Sequence, residues 1–190
     1  MAEPISPAER HALGQARRKQ LRRQDHAHWR PLAHRPSPVA TIARSMHGRI
    51  ASLVTLKYDR MLASPFGFFR GAVPVMAADL AALPNTGILS QICGDAHVRN
   101  LGAYAAPDGR LVFDINDFDE TCVAPFEWDL KRMATSLVLA GREDGQKSSP
   151  CRDAVHILAL NYRRLAATLA RTPVVELARY QVHRLERVTP

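Results

Sequence analysis

The chain predicts one α+β domain, mainly helical, and three observations carry that expectation. Apolar residues recur at helical spacing over most of residues 38–83 and 126–187, with Ser or Pro at several boundaries. Strand-length apolar runs are confined to Ile88–Ile92, Leu101–Ala105 and Leu111–Ile115. At 190 residues, 46% of them hydrophobic, the chain can bury one core and hardly two.

Residues 7–24 mix Ala, Leu and Gln with the basic run Arg17, Arg18, Lys19, Arg22 and Arg23. They have little apolar face, so a solvated helix or a loosely held arm is expected. Pro31, Pro36 and Pro38 mark a linker, which divides a basic N-terminal arm (1–36) from the domain proper (37–190). Ser37 is the expected N-cap of a helix over about 38–62, with Ile42, Met46, Ile50, Leu53, Val54 and Met61 on its core side. Ser64–Gly71, SPFGFFRG, packs three Phe, two Gly and one Arg into eight residues and is expected as a shaped loop. Pro74–Leu83 reads as a short helix stopped by Pro84, and Ile88–Ile92 as a strand. Leu101–Ala105 and Leu111–Ile115 form a hairpin across the turn Pro107-Asp108-Gly109. Helices follow over about 126–142, 151–171 and 174–187, with Phe126, Trp128, Met133 and Leu137 as ordinary core.

The formal charge of +8 is unevenly placed. Residues 1–60 hold 12 Lys+Arg against 4 Asp+Glu, whereas residues 61–190 hold 14 of each. Residues 91–130 reverse the sign, with eight carboxylates against Arg99 and Arg110, and chemistry is expected there. The basic arm lacks aromatic interleaving, so nucleic acid is not an expected partner. Cys93, Cys122 and Cys151 form no CxxC pair, which argues against a disulfide framework or a structural zinc site and fits a reducing cytosol. No signal peptide or membrane span is expected: the longest uncharged run, Leu80–Gly94, is broken by Pro84, Asn85 and Gly87.

The informative strings are Gly94-Asp95-Ala96-His97-Val98-Arg99-Asn100 and Asp114-Ile115-Asn116-Asp117-Phe118-Asp119-Glu120. A hairpin returns the chain to the end it left, so Asp95 and Asn100 at its start are expected beside Asp117 at its finish. A carboxylate and an amide oxygen from this group supply hard oxygen ligands of the kind Mg²⁺ takes when phosphate oxygens complete its shell. One carboxylate is then left to act as a base. Asp114 is a further candidate metal ligand, with a strand-end hydrogen bond as the plainer alternative. His97 is a candidate catalytic acid or ligand, or else holds the loop in shape. Asp129 is expected to anchor the loop through backbone amides.

The first string resembles the catalytic loop Gly-Asp-x-His-x-x-Asn of the aminoglycoside phosphotransferase and choline kinase group. Asp117-Phe118-Asp119 resembles the Asp-Phe-Gly position of kinases, and Trp128-Asp129-Leu130 the string that follows it in that group. Over about residues 28–188, the strings SPFGFFRG, QICGDAHVRNLGAY, LVFDINDFDET and PFEWDLKRMATSLVLAGR resemble the bacterial domain-of-unknown-function family 2252, which is grouped with the protein-kinase-like fold. Leu101, where Phe is frequent in that family, and Val123-Ala124, where Pro-Gly is common, are the departures.

The resemblance implies the helical (C-terminal) lobe of a kinase-like fold and a phosphotransferase dependent on Mg²⁺ and ATP. It implies Asp95 as catalytic base and Asn100 and Asp117 as metal ligands. Arg70, in its Phe-rich segment, is read from the residues themselves as either a contact to nucleotide phosphate or the partner of a carboxylate. Longer members carry a Gly-rich segment and a Lys downstream of these motifs. A truncated or split kinase-like domain is therefore expected, cytoplasmic, with an unknown small-molecule acceptor and little turnover alone. Exposed Phe66, Phe68 and Phe69 would then favour self-association or a complementary chain. A non-catalytic remnant that binds a partner and a metal-dependent phosphoester hydrolase are the alternative readings.

Overall fold

Ser6 and Ser37 each accept a hydrogen bond from the backbone N–H three residues on, and each is followed by Pro, so two helices begin at serine caps. In the computed structural model, which describes residues 5–31 and 33–178, these are α1 (Pro7–Gln20) and α2 (Pro38–Ser45). As expected of its composition, α1 buries no residue. The linker after it is fastened to the domain: Arg35 donates from Nε and Nη2 to the two carboxylate oxygens of Asp79, at 2.7 and 2.6 Å.

The single helix expected over 38–62 is two. After α2 the chain turns through Gly48, whose φ of +76° lies in the left-handed region that favours glycine, and α3 (Ala51–Leu62) starts in a new direction. The turn brings Ile42 and Met46 against Met61 and Ala72, with Val54, Tyr58 and Val75 around them. Ile50 and Leu53, expected on the same side, are exposed.

SPFGFFRG is a helix, α4 (Pro65–Gly71), not a loop. Ser64 caps it by accepting from the Gly67 N–H at 2.9 Å. Its glycines serve close packing: a Cβ at Gly67 would strike the Arg60 carbonyl, and one at Gly71 the Met61 side chain. Phe66 is 1% exposed, and of the three phenylalanines only Phe68 is exposed, so the expected apolar patch reduces to one ring.

After α5 (Val73–Ala81), β1 (Leu89–Ile92) leads to the hairpin of β2 (Leu101–Ala105) and β3 (Leu111–Ile115), paired Leu101 to Ile115 and Ala105 to Leu111. A fourth strand, β4 (Cys122–Pro125), pairs antiparallel with β1 and makes a second two-stranded sheet. Its four residues are too few for a readable pattern, and their partner is remote in sequence. α6 (Glu127–Glu143) and α7 (Ser148–Leu169) pack together, with Gly141 against Cys151. α6 also packs on α4. α8 (Val174–Ala178) begins the last expected helix, and residues 179–187 of that expectation lie outside the described residues. Among the described residues, no helix is long and apolar enough to cross a membrane.

The residues that α6 buries are Glu127, Arg132 and Ser136, while the expected core residues Phe126, Trp128, Met133 and Leu137 are only half-buried. A central helix with a polar buried face has a task other than filling a core.

The packing of α4 sets a contrast between neighbouring phenylalanines. Phe66→Ala is expected to destabilise the fold by about 3–5 kcal/mol through the cavity it leaves. Phe68→Ala should change stability by less than about 1 kcal/mol in urea denaturation. Equal effects would contradict the burial of Phe66.

Candidate functional site

The chain leaves β1 through Gly94 at φ +77°, and a Cβ there would strike the Glu120 carbonyl, so only glycine fits both the angle and the contact. The Asp129 carboxylate on α6 accepts from the N–H groups of Cys93 and Gly94 at 2.7 and 3.0 Å. Burial pushes the Asp129 carboxyl up, and these two hydrogen bonds work against that shift. Further along the loop, the Val98 N–H donates to the Ser136 hydroxyl at 3.1 Å, and Ser136 is wholly buried. One helix therefore holds the loop at two points.

Asn100 closes it. Its Nδ2 donates to the backbone carbonyls of Asp95 (3.2 Å) and Asp117 (3.0 Å), and its Oδ1 accepts from the Asp117 N–H (2.9 Å). The buried amide thus staples the start of the β2–β3 hairpin to its finish. Asp117 in turn accepts from the Asp119 N–H at 3.0 Å.

Asp95 meets Arg132 of α6. Nε of Arg132 donates to Asp95 Oδ1 at 2.7 Å, and Nη2 pairs with the same oxygen. Nε2 of His97 lies 3.6 Å from Asp95 Oδ2. Burial alone pushes the Asp95 carboxyl up, but the His97 imidazole and the charge and hydrogen bond of Arg132 together outweigh it. The group is held below the ordinary carboxylate range. His97 is itself buried, edge-on to Phe66, and among the described residues its Nδ1 has no hydrogen-bond partner.

Asp95 and Asp117 line one cleft of about 340 Å³, together with Asp119, Glu120, Arg49, Lys57, Arg70, Ser45, Gly71, Val73 and Pro74. Of the residues singled out from sequence, Asp95, Asp117 and Arg70 are brought together here. Asn100 lies beneath them as a staple, and His97 beside Asp95. Asp114 is not on the cleft wall: it is exposed on β3 and accepts from the Ile115 N–H at 2.8 Å. Among the described residues, no group of three or more His, Cys, Asp or Glu side chains is placed to hold a metal by itself.

Sequence reasoning missed Arg132, Lys57 and Arg49. Arg132 had a signal: Asp129, Arg132 and Ser136 stand at helical i, i+3, i+7 spacing, a polar stripe where an apolar one would be ordinary. Lys57 and Arg49 had none, because the fold of α3 and α4 alone brings them opposite the carboxylates.

Residues 49–189 match the model of a family described as "Uncharacterized protein conserved in bacteria (DUF2252)", a span that holds every charged residue of the cleft and leaves out only Ser45 of its lining. No curated protein and no solved structure gives a match.

The Asp95 environment fixes a sign for pH dependence. With its folded pKa lowered, Asp95 stabilises the fold fully above its unfolded pKa of about 4, and that contribution is lost as pH falls through the folded value. Carbon-13 carboxyl titration should place Asp95 below the ordinary range in the parent. In Arg132→Met the midpoint should rise, because burial then acts with less opposition. An unmoved midpoint would show that Arg132 does not set the charge state.

Proposed function

The chain belongs to the DUF2252 family, and on that premise we propose that its cleft carries kinase-like phosphoryl transfer from Mg²⁺-ATP to a hydroxyl-bearing small molecule. The observation that supports this reading is the meeting of Asp95, before β2, and Asp117, after β3, at the open end of the hairpin in one cleft, with Asn100 tying their backbones together. Phosphoryl transfer asks little covalent chemistry of a protein and mostly needs positioning and charge neutralisation, which a rigid loop on a helix supplies.

In this reading Asp95 is the residue that orients the acceptor hydroxyl and takes its proton. His97 and Arg132 offset the burial that would otherwise favour its protonated form. Arg132 and His97 are positioning residues: they hold the carboxylate but do not touch the acceptor. The donor set suits Mg²⁺, which accepts one or two carboxylates and completes its shell with phosphate oxygens and water. Asp117 would hold it, with Asp119 and Glu120 beside it, and Asn100 fixes the Asp117 backbone. When bound, the ion supplies countercharge to the phosphates.

The test is binding first, then turnover. Mg²⁺ with ATP should raise the melting temperature of the purified chain, and Asp117→Asn should remove most of that response. Turnover is expected once the downstream portion of a longer family member, carrying the Gly-rich segment and Lys of the resemblance, is added in trans. Asp95→Ala should reduce it by at least about 100-fold. An unchanged melting temperature with Mg²⁺ and ATP, or turnover indifferent to Asp95→Ala, would overturn the reading.

A further inference from the structure

We infer that Arg49, Lys57 and Arg70 form a binding site for a phosphate chain, on the wall of the cleft that faces Asp95 and Asp117. The inference rests on the reading above for the ligand class, and it adds the protein groups that would grip the anionic part of the ligand.

The three cations come from separate places: Arg49 just before α3, Lys57 within it, and Arg70 in the last turn of α4. All three reach the cleft that Asp95, Asp117, Asp119 and Glu120 also line. Even so, among the described residues none of the three forms an ion pair within 4.0 Å, and neither do Asp117, Asp119 or Glu120. Both sets of charges therefore line one cleft, near enough for Glu120 and Asp95 to act on Lys57, without neutralising each other in pairs.

A ligand that satisfies both walls must present anionic oxygens to one and a cation to the other. A phosphate chain carrying a divalent ion has that composition, and a cleft of about 340 Å³ is of small-molecule size. A simple carboxylate or a lone cation would satisfy one wall only.

Details of the wall agree. Nε of Arg49 donates to the Ser45 carbonyl at 3.0 Å, while its Nη groups make no hydrogen bond among the described residues. Lys57 is half-buried, and that burial and the charge of Arg49 lower its pKa further than Glu120 and Asp95 restore it. Its ammonium is under-compensated, so an incoming anion gains more from it than from an exposed lysine. The backbone beneath Arg70 is fixed as well: Arg132 Nη2 donates to the Phe69 carbonyl at 3.1 Å and reaches the Arg70 carbonyl at 3.5 Å. The group that holds Asp95 thereby also holds this wall.

The experiment is calorimetric titration of the full chain with sodium tripolyphosphate and, separately, with ATP, each in low salt with Mg²⁺. Hydrogen bonds to charged groups contribute about 1.5–3 kcal/mol, so Lys57→Met and Arg49→Met should each raise the Kd of both ligands about tenfold or more. Arg44→Met removes the same charge from an exposed position of α2 off the cleft wall and should change Kd less than about twofold. Lys57→Arg should restore most of the affinity, and equal melting temperatures across the set exclude misfolding as the cause. Failure of tripolyphosphate to bind the parent chain, or equal effects of Lys57→Met, Arg49→Met and Arg44→Met, would overturn the inference.

Tripolyphosphate has no nucleoside and needs no base, so its arm is independent of the phosphotransfer reading. Binding that depends on Lys57 without any turnover in the trans experiment would leave the phosphate wall standing and remove the phosphotransferase. Undiminished turnover in Lys57→Met would do the reverse.

Discussion

A guanidinium that is 2% exposed must find partners for its donors and its charge, and the surroundings of Arg132 are arranged around that requirement. Its charge is met by Asp95 and its remaining donors by the Phe69 and Arg70 carbonyls and the Met76 sulfur, with the Phe69 ring 4.3 Å from its carbon. Those partners belong to the loop after β1, to α4 and to α5. One side chain on α6 thus joins three segments. Its loss would leave the half-buried Asp95 without its cation, which is more damaging than the loss of an exposed ion pair.

The same constraint orders the charges of the cleft. Asp129, Arg132 and Ser136 pin the loop to α6, while Met61 packed against Gly71 and Ala72 pins α3 to the end of α4. Lys57 and Arg70 are carried by the second assembly and Asp95 by the first. Arg132 ties the two parts together, through Asp95 on one side and the Phe69 and Arg70 carbonyls on the other, so both sets of charges are fixed on one framework. A site that meets its ligand already organised loses less entropy on binding and has less to reorganise in a reaction.

Glycine and aromatic residues show where a one-dimensional reading failed. SPFGFFRG has the composition of a loop, yet Gly67 and Gly71 let α4 press against Arg60 and Met61. Composition does not distinguish a glycine that bends a chain from one that admits a neighbour. Gly48 is the converse: the apolar pattern runs on through it, and its positive φ still divides the helix.

Residue order by itself determined the mainly helical α+β class, the limits of β2 and β3, the Ser37 cap, and the loop and hairpin motifs that bear Asp95, Asn100 and Asp117. Each is local: caps, turns and strand periodicity act within a few residues. The juxtaposition of Asp95 with Asp117 was also legible, because a hairpin returns to its origin whatever packs on it. Tertiary structure decided the rest. The pairing of β1 with β4, the burial of Arg132 against Asp95, the use of the Asn100 amide as a staple and the cationic wall of Arg49, Lys57 and Arg70 all join residues remote in sequence. Such contacts are set by how packed helices orient one another, and no local preference of Lys57 or Arg132 encodes that orientation.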